Sequence, residues 1–174
     1  MENNDYKKYL DEGIFDFQDG KFEDAILKLN KSIELKNDFS ISYFYRGACY
    51  QILENWDEAM LDYTRALQLN DKMTDAYYNR AKIILSRKDI ENPKIENAVS
   101  DLEKALELDE NFVDALYAMA CAKKKLEKYN EAYDCLVKLL SIHVLHDSMV
   151  CRNLLLKSRL SVLEECGKSH GLED

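Results

Sequence analysis

Histidines and cysteines are the side chains of this chain best suited to metal or redox chemistry. His143 and His146 stand three residues apart, as two metal ligands can, but no HExxH motif and no cysteine pair accompanies them. The five cysteines are an odd number with no CxxC spacing. The sequence therefore predicts no metal site, and we expect free thiols in a reducing compartment at Cys49, Cys121, Cys135, Cys151 and Cys166.

Paired carboxylates, which can carry acid–base chemistry, occur at Asp109-Glu110 and Glu164-Glu165. In a chain with 33 acidic and 24 basic residues, such pairs are expected at helix ends and on solvated helix faces. The five glycines form neither a GxGxxG nor a GxxxxGKS/T phosphate loop. Because no constellation of catalytic residues is present, we predict that the protein is not an enzyme and uses no cofactor.

The charge and the hydropathy pattern indicate which classes of partner the protein does not bind. A net charge of -9 at pH 7 disfavours nucleic acid and anionic membranes, because both require a net basic surface. The first residues contain no apolar signal-peptide core, and no run approaches the ~20 apolar residues that span a bilayer. We therefore expect a cytoplasmic protein that binds no nucleic acid and no membrane.

The elements that would position a site follow a repeated pattern, seen most clearly at 40–73. In this unit Tyr43 and Gly47 have helical spacing before a break at 54–55, and Ala59 and Tyr63 have helical spacing after it. Small residues let two helices approach closely. The unit therefore predicts two antiparallel helices that cross at Gly47 and Ala59.

The same residue types recur when the numbering is shifted by 34 residues, or by 39 across one insertion. The small crossing positions become Gly13, Gly47, Ala81 and Ala120 in the first helices, and Ala25, Ala59, Ala98 and Ala132 in the second helices. A helix-turn-helix period of 34 residues with this aromatic, glycine and alanine signature resembles the tetratricopeptide repeat (TPR) family. The leucine that the family carries before the first small residue is replaced here by Glu12, Arg46 and Arg80.

The resemblance implies an all-α fold, a right-handed α-solenoid of four TPR-like helix pairs plus a C-terminal capping helix. We place the repeats at about 6–39, 40–73, 74–112 and 113–146, and the capping helix, which would cover the apolar end of the last repeat, at about 147–166. Residues 1–166 would form a single TPR solenoid domain, followed by a flexible tail at 167–174.

Local signals complete this outline of the helices. Ser40, Thr74 and Asp75 are predicted as N-caps. The third repeat carries the insertion SRKDIENPK, whose Pro93 is predicted in the first turn of a helix. Surface loops tolerate insertions at little energetic cost, so we assign this one no function.

In the TPR family, the slot three residues before the first small residue faces a concave groove, and here it holds an aromatic or leucine in every repeat. Tyr9, Tyr43 and Tyr77, one residue earlier, point about 100° away and are predicted to pack in the core. Adding one and two helical turns gives a predicted peptide-binding groove that comprises Leu10, Ile14, Phe17, Phe44, Ala48, Gln51, Tyr78, Lys82, Tyr117, Cys121 and Lys124. It is apolar in the first two repeats and mixed aromatic and basic in the last two. A ligand should therefore offer apolar anchors at one end and acidic residues at the other.

Chaperone-adaptor members of the family grip the acidic C-terminal tail of a partner with basic and asparagine side chains at five slots. Carried over to this chain, the slots hold Leu10, Ile14, Tyr45, Asp75 and Asn79, or, one repeat later, Phe44, Ala48, Asn79, Asp114 and Ala118. Asn79 alone fits the pattern, so we expect no such clamp.

Together these features predict a non-catalytic protein–protein interaction scaffold or adaptor that holds a peptide or helix of another protein in its groove. Two alternatives remain open. One is a homo-oligomeric structural protein, such as a homodimer, that self-associates through the same surface. The other is an accessory or regulatory domain of an enzyme.

Overall fold

The structure is a computed structural model, and its described part comprises residues 5–87 and 91–144. Regular secondary structure in these residues is entirely helical, which confirms the all-α prediction. The eight helices are α1 (Asp5–Gln18), α2 (Phe22–Leu35), α3 (Ser40–Ile52), α4 (Trp56–Leu69), α5 (Thr74–Ser86), α6 (Asn92–Leu108), α7 (Val113–Lys125) and α8 (Tyr129–Val144). The predicted capping helix at 147–166 and the tail at 167–174 lie outside the described residues.

The turns that join α1 to α2, α3 to α4 and α7 to α8 each use one residue with positive φ. Gly20 has φ 76°, and the equivalent residues Glu54 and Glu127 have φ 60° and 58°. Glycine adopts this left-handed conformation without steric cost, whereas glutamate adopts it less readily. The turn after α3 is held by the amide of Asn55, which donates to the carbonyl of Tyr50 at 2.8 Å. The break between α3 and α4 covers residues 53–55, which includes the two residues predicted at 54–55 and is one residue longer.

The chain divides into two compact units, Met1–Ile83 and Ile84–Asp174. In the first unit, Ala25 and Ala59 are fully buried where the paired helices cross. A Cβ atom on Gly13 would lie 2.8 Å from Leu29 Cγ, and one on Gly47 would lie 3.2 Å from Asp62 Cβ. The small residues are therefore required by close helix contact, as the sequence predicted. That residues 1–166 form a single domain stays a prediction.

The second unit contains α6, α7 and α8, with α7 packed on both of its neighbours. Ala98 and Ala132 are fully buried, and Ala120 retains 3% exposure. Leu116 and Leu136 pack with Ala120 and Ala132 in one apolar cluster. Pro93 occupies the first turn of α6, where its missing N–H costs no helical hydrogen bond. The alanine positions and the proline position are thus confirmed.

The predicted N-caps are wrong, because the helices begin earlier than expected. Ser40 is the first residue of α3, and Phe39 precedes it without any side-chain cap. Phe39 instead packs its ring edge-on against Tyr6, with the ring centroids 5.3 Å apart. Likewise, Thr74 and Asp75 already belong to α5, and the carbonyl of Met73 accepts the first amide bond. Apolar packing of the residue before the helix outweighs a polar cap here.

Candidate binding surface

The aromatic residues of the first unit form a continuous chain of ring contacts across four helices. Phe17 of α1 contacts both Phe22 and Tyr45, with centroid distances of 5.8 and 5.5 Å. Phe44 contacts Tyr45 at 5.4 Å and Tyr63 at 5.9 Å. These rings stabilise one another by edge-on and tilted packing. The predicted groove residues Phe17 and Phe44 are therefore part of a packed aromatic floor.

Leu10 differs from the other predicted groove residues in how little surface it exposes. It retains 5% exposure and belongs to the core cluster with Ala25 and Leu29. Ile14 is half-buried against the same cluster. Helix α1 packs against both α2 and α3. Leu10 therefore offers a ligand almost no contact area.

Two polar side chains of this surface bind a buried hydroxyl. Tyr63 is fully buried, and its hydroxyl donates a hydrogen bond to Gln51 Oε1 at 2.8 Å. The Asn79 side chain hydrogen-bonds the same hydroxyl. Burial raises the pKa of Tyr63 well above its usual range, and the Asn79 bond opposes that shift without cancelling it. Gln51 and Asn79 thus satisfy a buried group of the protein itself.

The predicted residues on α5 pair an aromatic ring with a cation. Lys82 is exposed, and its Nζ lies 5.8 Å from the ring centroid of the half-buried Tyr78. Such a contact is weak at an exposed site. It holds a positive charge at the surface of the first unit.

The predicted residues on α7 lie in the second unit. Tyr117 is 39% exposed, and Cys121 and Lys124 are half-buried on the same helix. Burial raises the pKa of the Cys121 thiol, so it is protonated at neutral pH. The neighbouring lysines serve the protein's own structure: Lys123 pairs with Glu131 at 2.7 Å, and Lys125 donates to the carbonyl of Leu85 at 2.9 Å.

Two exposed isoleucines of α3 were absent from the predicted groove. Ile41 is 37% exposed and Ile52 is 49% exposed. They stand seven residues before and four residues after Ala48, so they share its face of the helix. The spacing of 41, 45, 48 and 52 is visible in the sequence. The prediction missed it because it started from the aromatic column instead of from exposed apolar residues.

Tyr9, Tyr43 and Tyr77, which were predicted as core, are all half-buried, and arginines cover the rings of Tyr43 and Tyr77. The guanidinium of Arg46 lies 5.5 Å from the ring centroid of Tyr43, and that of Arg80 lies 5.9 Å from the ring of Tyr77. Tyr43 also donates its hydroxyl hydrogen to the carbonyl of Asn37 at 3.1 Å. The difference from the prediction has a clear cause, since arginine replaces the family's leucine and covers the rings of Tyr43 and Tyr77 by a cation–π contact.

Two absences apply to the described part of the chain alone. Within 5–87 and 91–144, no helix combines the length and the apolar character that crossing a membrane requires. Over the same ranges, histidine, cysteine and carboxylate side chains nowhere gather in a group of three that could hold a metal ion.

Comparison with known proteins identifies the family. The tetratricopeptide repeat family matches twice, at residues 40–73 and 113–142, which are two of the four predicted repeats. Together with the helix pairs and the buried crossing residues, these matches show that the chain is a tetratricopeptide repeat protein. Proteins of this family are generally non-catalytic interaction modules.

Several curated proteins are similar to parts of the chain. Human sperm-associated antigen 1 is 31% identical over 110 residues, or 63% of this chain. Human tetratricopeptide repeat protein 12 is 28% identical over 106 residues, or 54% of this chain. The human mitochondrial import receptor subunit TOM70 is 39% identical over 71 residues, or 38% of this chain. The matches span between 11% and 15% of the length of these three relatives.

Solved structures show the same fold at lower identity. A crystal structure of MamA has a TM-score of 0.73 and 23% identity, covering 80% of this chain and 79% of MamA. The first TPR domain of Spaghetti (RPAP3), bound to the HSP90 peptide SRMEEVD, has a TM-score of 0.64 and 24% identity. It covers 70% of this chain and 93% of that domain.

Proposed function

We propose that this chain is a non-catalytic, cytoplasmic interaction scaffold. It binds a peptide or helical segment of another protein through the faces of the first helices of its repeats. The observation that carries the proposal is the exposed apolar surface of Ile41 and Ile52 beside the packed rings of Phe44 and Tyr45. Exposed apolar area that borders a rigid aromatic floor can bury a ligand's side chains without reorganising the protein. The family's role as an interaction module supports the same conclusion.

We also propose that the ligand differs from the acidic peptide bound by the RPAP3 domain. Leu10 and Ile14 occupy slots where a clamp needs a base and an amide, and Leu10 is buried. Asp75 would place a carboxylate beside the carboxylates of such a peptide. Asn79, which fits the pattern by type, already hydrogen-bonds Tyr63. A carboxylate clamp therefore lacks its chemical basis in the first unit.

Self-association through the same surface is the second candidate, because the exposed isoleucines would also suit another copy of the chain. The exposed strip is narrow, however, and a stable dimer buries roughly 800 Å² on each subunit.

An accessory role beside a catalytic domain is the third candidate. It is consistent with the far greater length of the curated relatives. Neither alternative explains a single apolar strip as directly as a peptide ligand does.

Site-specific photocross-linking in native cell extract tests the scaffold proposal. A benzophenone amino acid placed at Ala48 should cross-link to a distinct partner protein, whereas the same group at Leu27 should not. Leu27 is the matched control because it is 63% exposed on α2, outside the first-helix faces. Cross-links to the chain itself would favour self-association. Equal cross-linking from both positions, or from Leu27 alone, would overturn the assignment of the surface.

A further inference from the structure

The α3 strip consists of Ile41, Tyr45, Ala48 and Ile52, which recur at spacings of four, three and four residues. Residues with this spacing lie in one row along a helix. The two isoleucines are 37% and 49% exposed, and Tyr45 and Ala48 are half-buried between them. The row extends over roughly 16 Å at 1.5 Å per residue, about three helical turns.

On the first helices of the neighbouring repeats in this unit, every equivalent position except Ile14 holds a polar residue. On α1 these positions hold Lys7 and Asp11, followed by the half-buried Ile14. On α5 they hold Asp75 and Lys82, with Asn79 between them. Lys7, Asp11, Asp75 and Lys82 are all exposed. The apolar row of α3 therefore has charged residues of both signs on either side.

Contacts place these two helices at opposite edges of the row. Phe17 of α1 contacts Tyr45 at one edge, with the ring centroids 5.5 Å apart. At the other edge, Gln51 of α3 and Asn79 of α5 bind the same Tyr63 hydroxyl. The apolar row of α3 therefore lies between two charged rims.

We propose that the segment bound on the α3 strip is an amphipathic α-helix of about three turns, and not an extended peptide. Its apolar row would lie along Ile41, Tyr45, Ala48 and Ile52, and its flanking charges of both signs would face the four rim residues. This inference rests on the proposed function, and it names the kind of partner segment that the surface accepts.

The backbone of the ligand decides between the two forms. An extended peptide needs hydrogen-bond partners for its own amides and carbonyls, because burying them unpaired is costly. Ile41, Ala48 and Ile52 have no hydrogen-bonding group in their side chains, and the bordering amides Gln51 and Asn79 each already engage one group with the buried Tyr63 hydroxyl. A helix satisfies its backbone internally and presents side chains at the spacing that the strip shows. Ala48, in the middle of the row, leaves room for a large side chain of the incoming helix.

Selection from a display library of random 16-residue peptides, with the full chain as bait, tests this inference. Enriched sequences should carry apolar residues at i, i+4, i+7 and i+11, or the related i+3 spacing, and should lack proline within that segment. A fluorescein-labelled copy of an enriched peptide should then lose at least tenfold in affinity, measured by anisotropy, when its central residue is changed to proline.

Variants of the protein separate this inference from the proposed function. Ile52→Asp should lower the affinity of the protein for the labelled peptide at least tenfold. Leu61→Asp, at a 71% exposed position on α4, should change that affinity less than twofold. If proline is tolerated while Ile52→Asp still weakens binding, the ligand is extended, and only the helix inference fails. If Ile52→Asp has no effect, both proposals fail.

Two further outcomes also count against the helix inference. Failure to enrich any peptide on the folded chain would overturn it. A dimer in sedimentation velocity that Ile52→Asp dissociates would show that the strip is occupied by a second copy of the chain.

Discussion

Arg46 and Asp62 form a two-pronged ion pair between α3 and α4. Arg46 Nε donates to Asp62 Oδ2 at 2.7 Å, and Nη2 donates to Oδ1 at 2.6 Å. The remaining terminal nitrogen of Arg46 donates to Asn30 Oδ1 on α2 at 2.7 Å, so a single side chain joins three helices. Burial lowers the pKa of Arg46, but the hydrogen bonds to Asp62 and the negative charges nearby together outweigh burial, so the pKa is raised.

Removing Asp62 should destabilise the protein strongly. Asp62→Ala leaves the guanidinium of Arg46, whose side chain is 19% exposed, with Asn30 as its remaining bonded partner. We expect a loss of about 3 kcal/mol in the free energy of unfolding, measured by urea denaturation. The double variant Arg46→Leu with Asp62→Leu should lie within about 1 kcal/mol of the parent. Met119 and Cys135 stand at the equivalent positions of the fourth repeat, so that repeat is built without the ion pair.

The first repeat supplies the control for this prediction. Glu12 and Lys28 occupy the same two positions with opposite polarity, 3.1 Å apart, and their side chains are 37% and 42% exposed. Solvent screens an exposed pair of this kind, so its contribution to stability is small. Lys28→Ala should therefore cost much less than Asp62→Ala. Equal losses would show that burial does not set the strength of these pairs.

A second pair of residues lies where the first two repeats pack against each other. The hydroxyls of Ser32 on α2 and Ser42 on α3 are 2.8 Å apart, and both residues are fully buried. Ser42→Ala alone should cost about 1 kcal/mol, because it leaves a buried hydroxyl without its partner. Ser32→Ala together with Ser42→Ala should recover most of that loss, since the next repeat carries the buried residues Ala66 and Ala76 at these positions. A double-mutant cycle compares the parent, Ser32→Ala, Ser42→Ala and the double variant. If the stability losses of the two single variants simply add in the double variant, the two hydroxyls are not coupled.

The repeat period allowed much of the fold to be predicted from the sequence. It placed the crossing residues correctly, because a helix crossing demands a small side chain wherever it recurs. The same reasoning failed where neighbours differ between repeats. Leu10 shares a column with the exposed Tyr117 yet is buried, because it packs with Ala25 and Leu29. The role of Arg46 was missed because its partners come from two other helices.

Overpacking the crossing should be costly at a position that the sequence identified. Ala59 is fully buried beside Tyr63, so Ala59→Leu should lower the free energy of unfolding by roughly 1–3 kcal/mol. Leu61→Ala, two residues along the same helix at a 71% exposed site, should change it by less than about 0.5 kcal/mol. An unchanged urea midpoint for Ala59→Leu would show that the helices do not meet closely there.

Alkaline pH should destabilise the protein through Cys49. Burial raises the pKa of this thiol from 9.0 to about 12, so the folded chain holds a proton that the unfolded chain releases. Stability is then complete below pH 9 and falls as the pH rises towards 12, by at most about 1.4 kcal/mol per pH unit.

The variant Cys49→Ala supplies the comparison for the pH series, since the fourth repeat has Ala122 at this position. Its stability should decline less steeply than that of the parent above pH 9, as measured by urea denaturation at each pH. Parallel declines would mean that Cys49 does not titrate on unfolding.

The measurement that most directly tests the binding surface compares two double variants of equal chemistry. Ile41→Asp with Ile52→Asp changes the α3 strip. Leu27→Asp with Leu61→Asp changes two leucines on α2 and α4 whose side chains are more exposed than those isoleucines. Partner recovery from native extract, quantified with folded variants checked by circular dichroism, should fall at least tenfold for the isoleucine pair and less than twofold for the leucine pair. Equal recovery with both, or a loss confined to the leucine pair, would contradict binding at the first-helix surface.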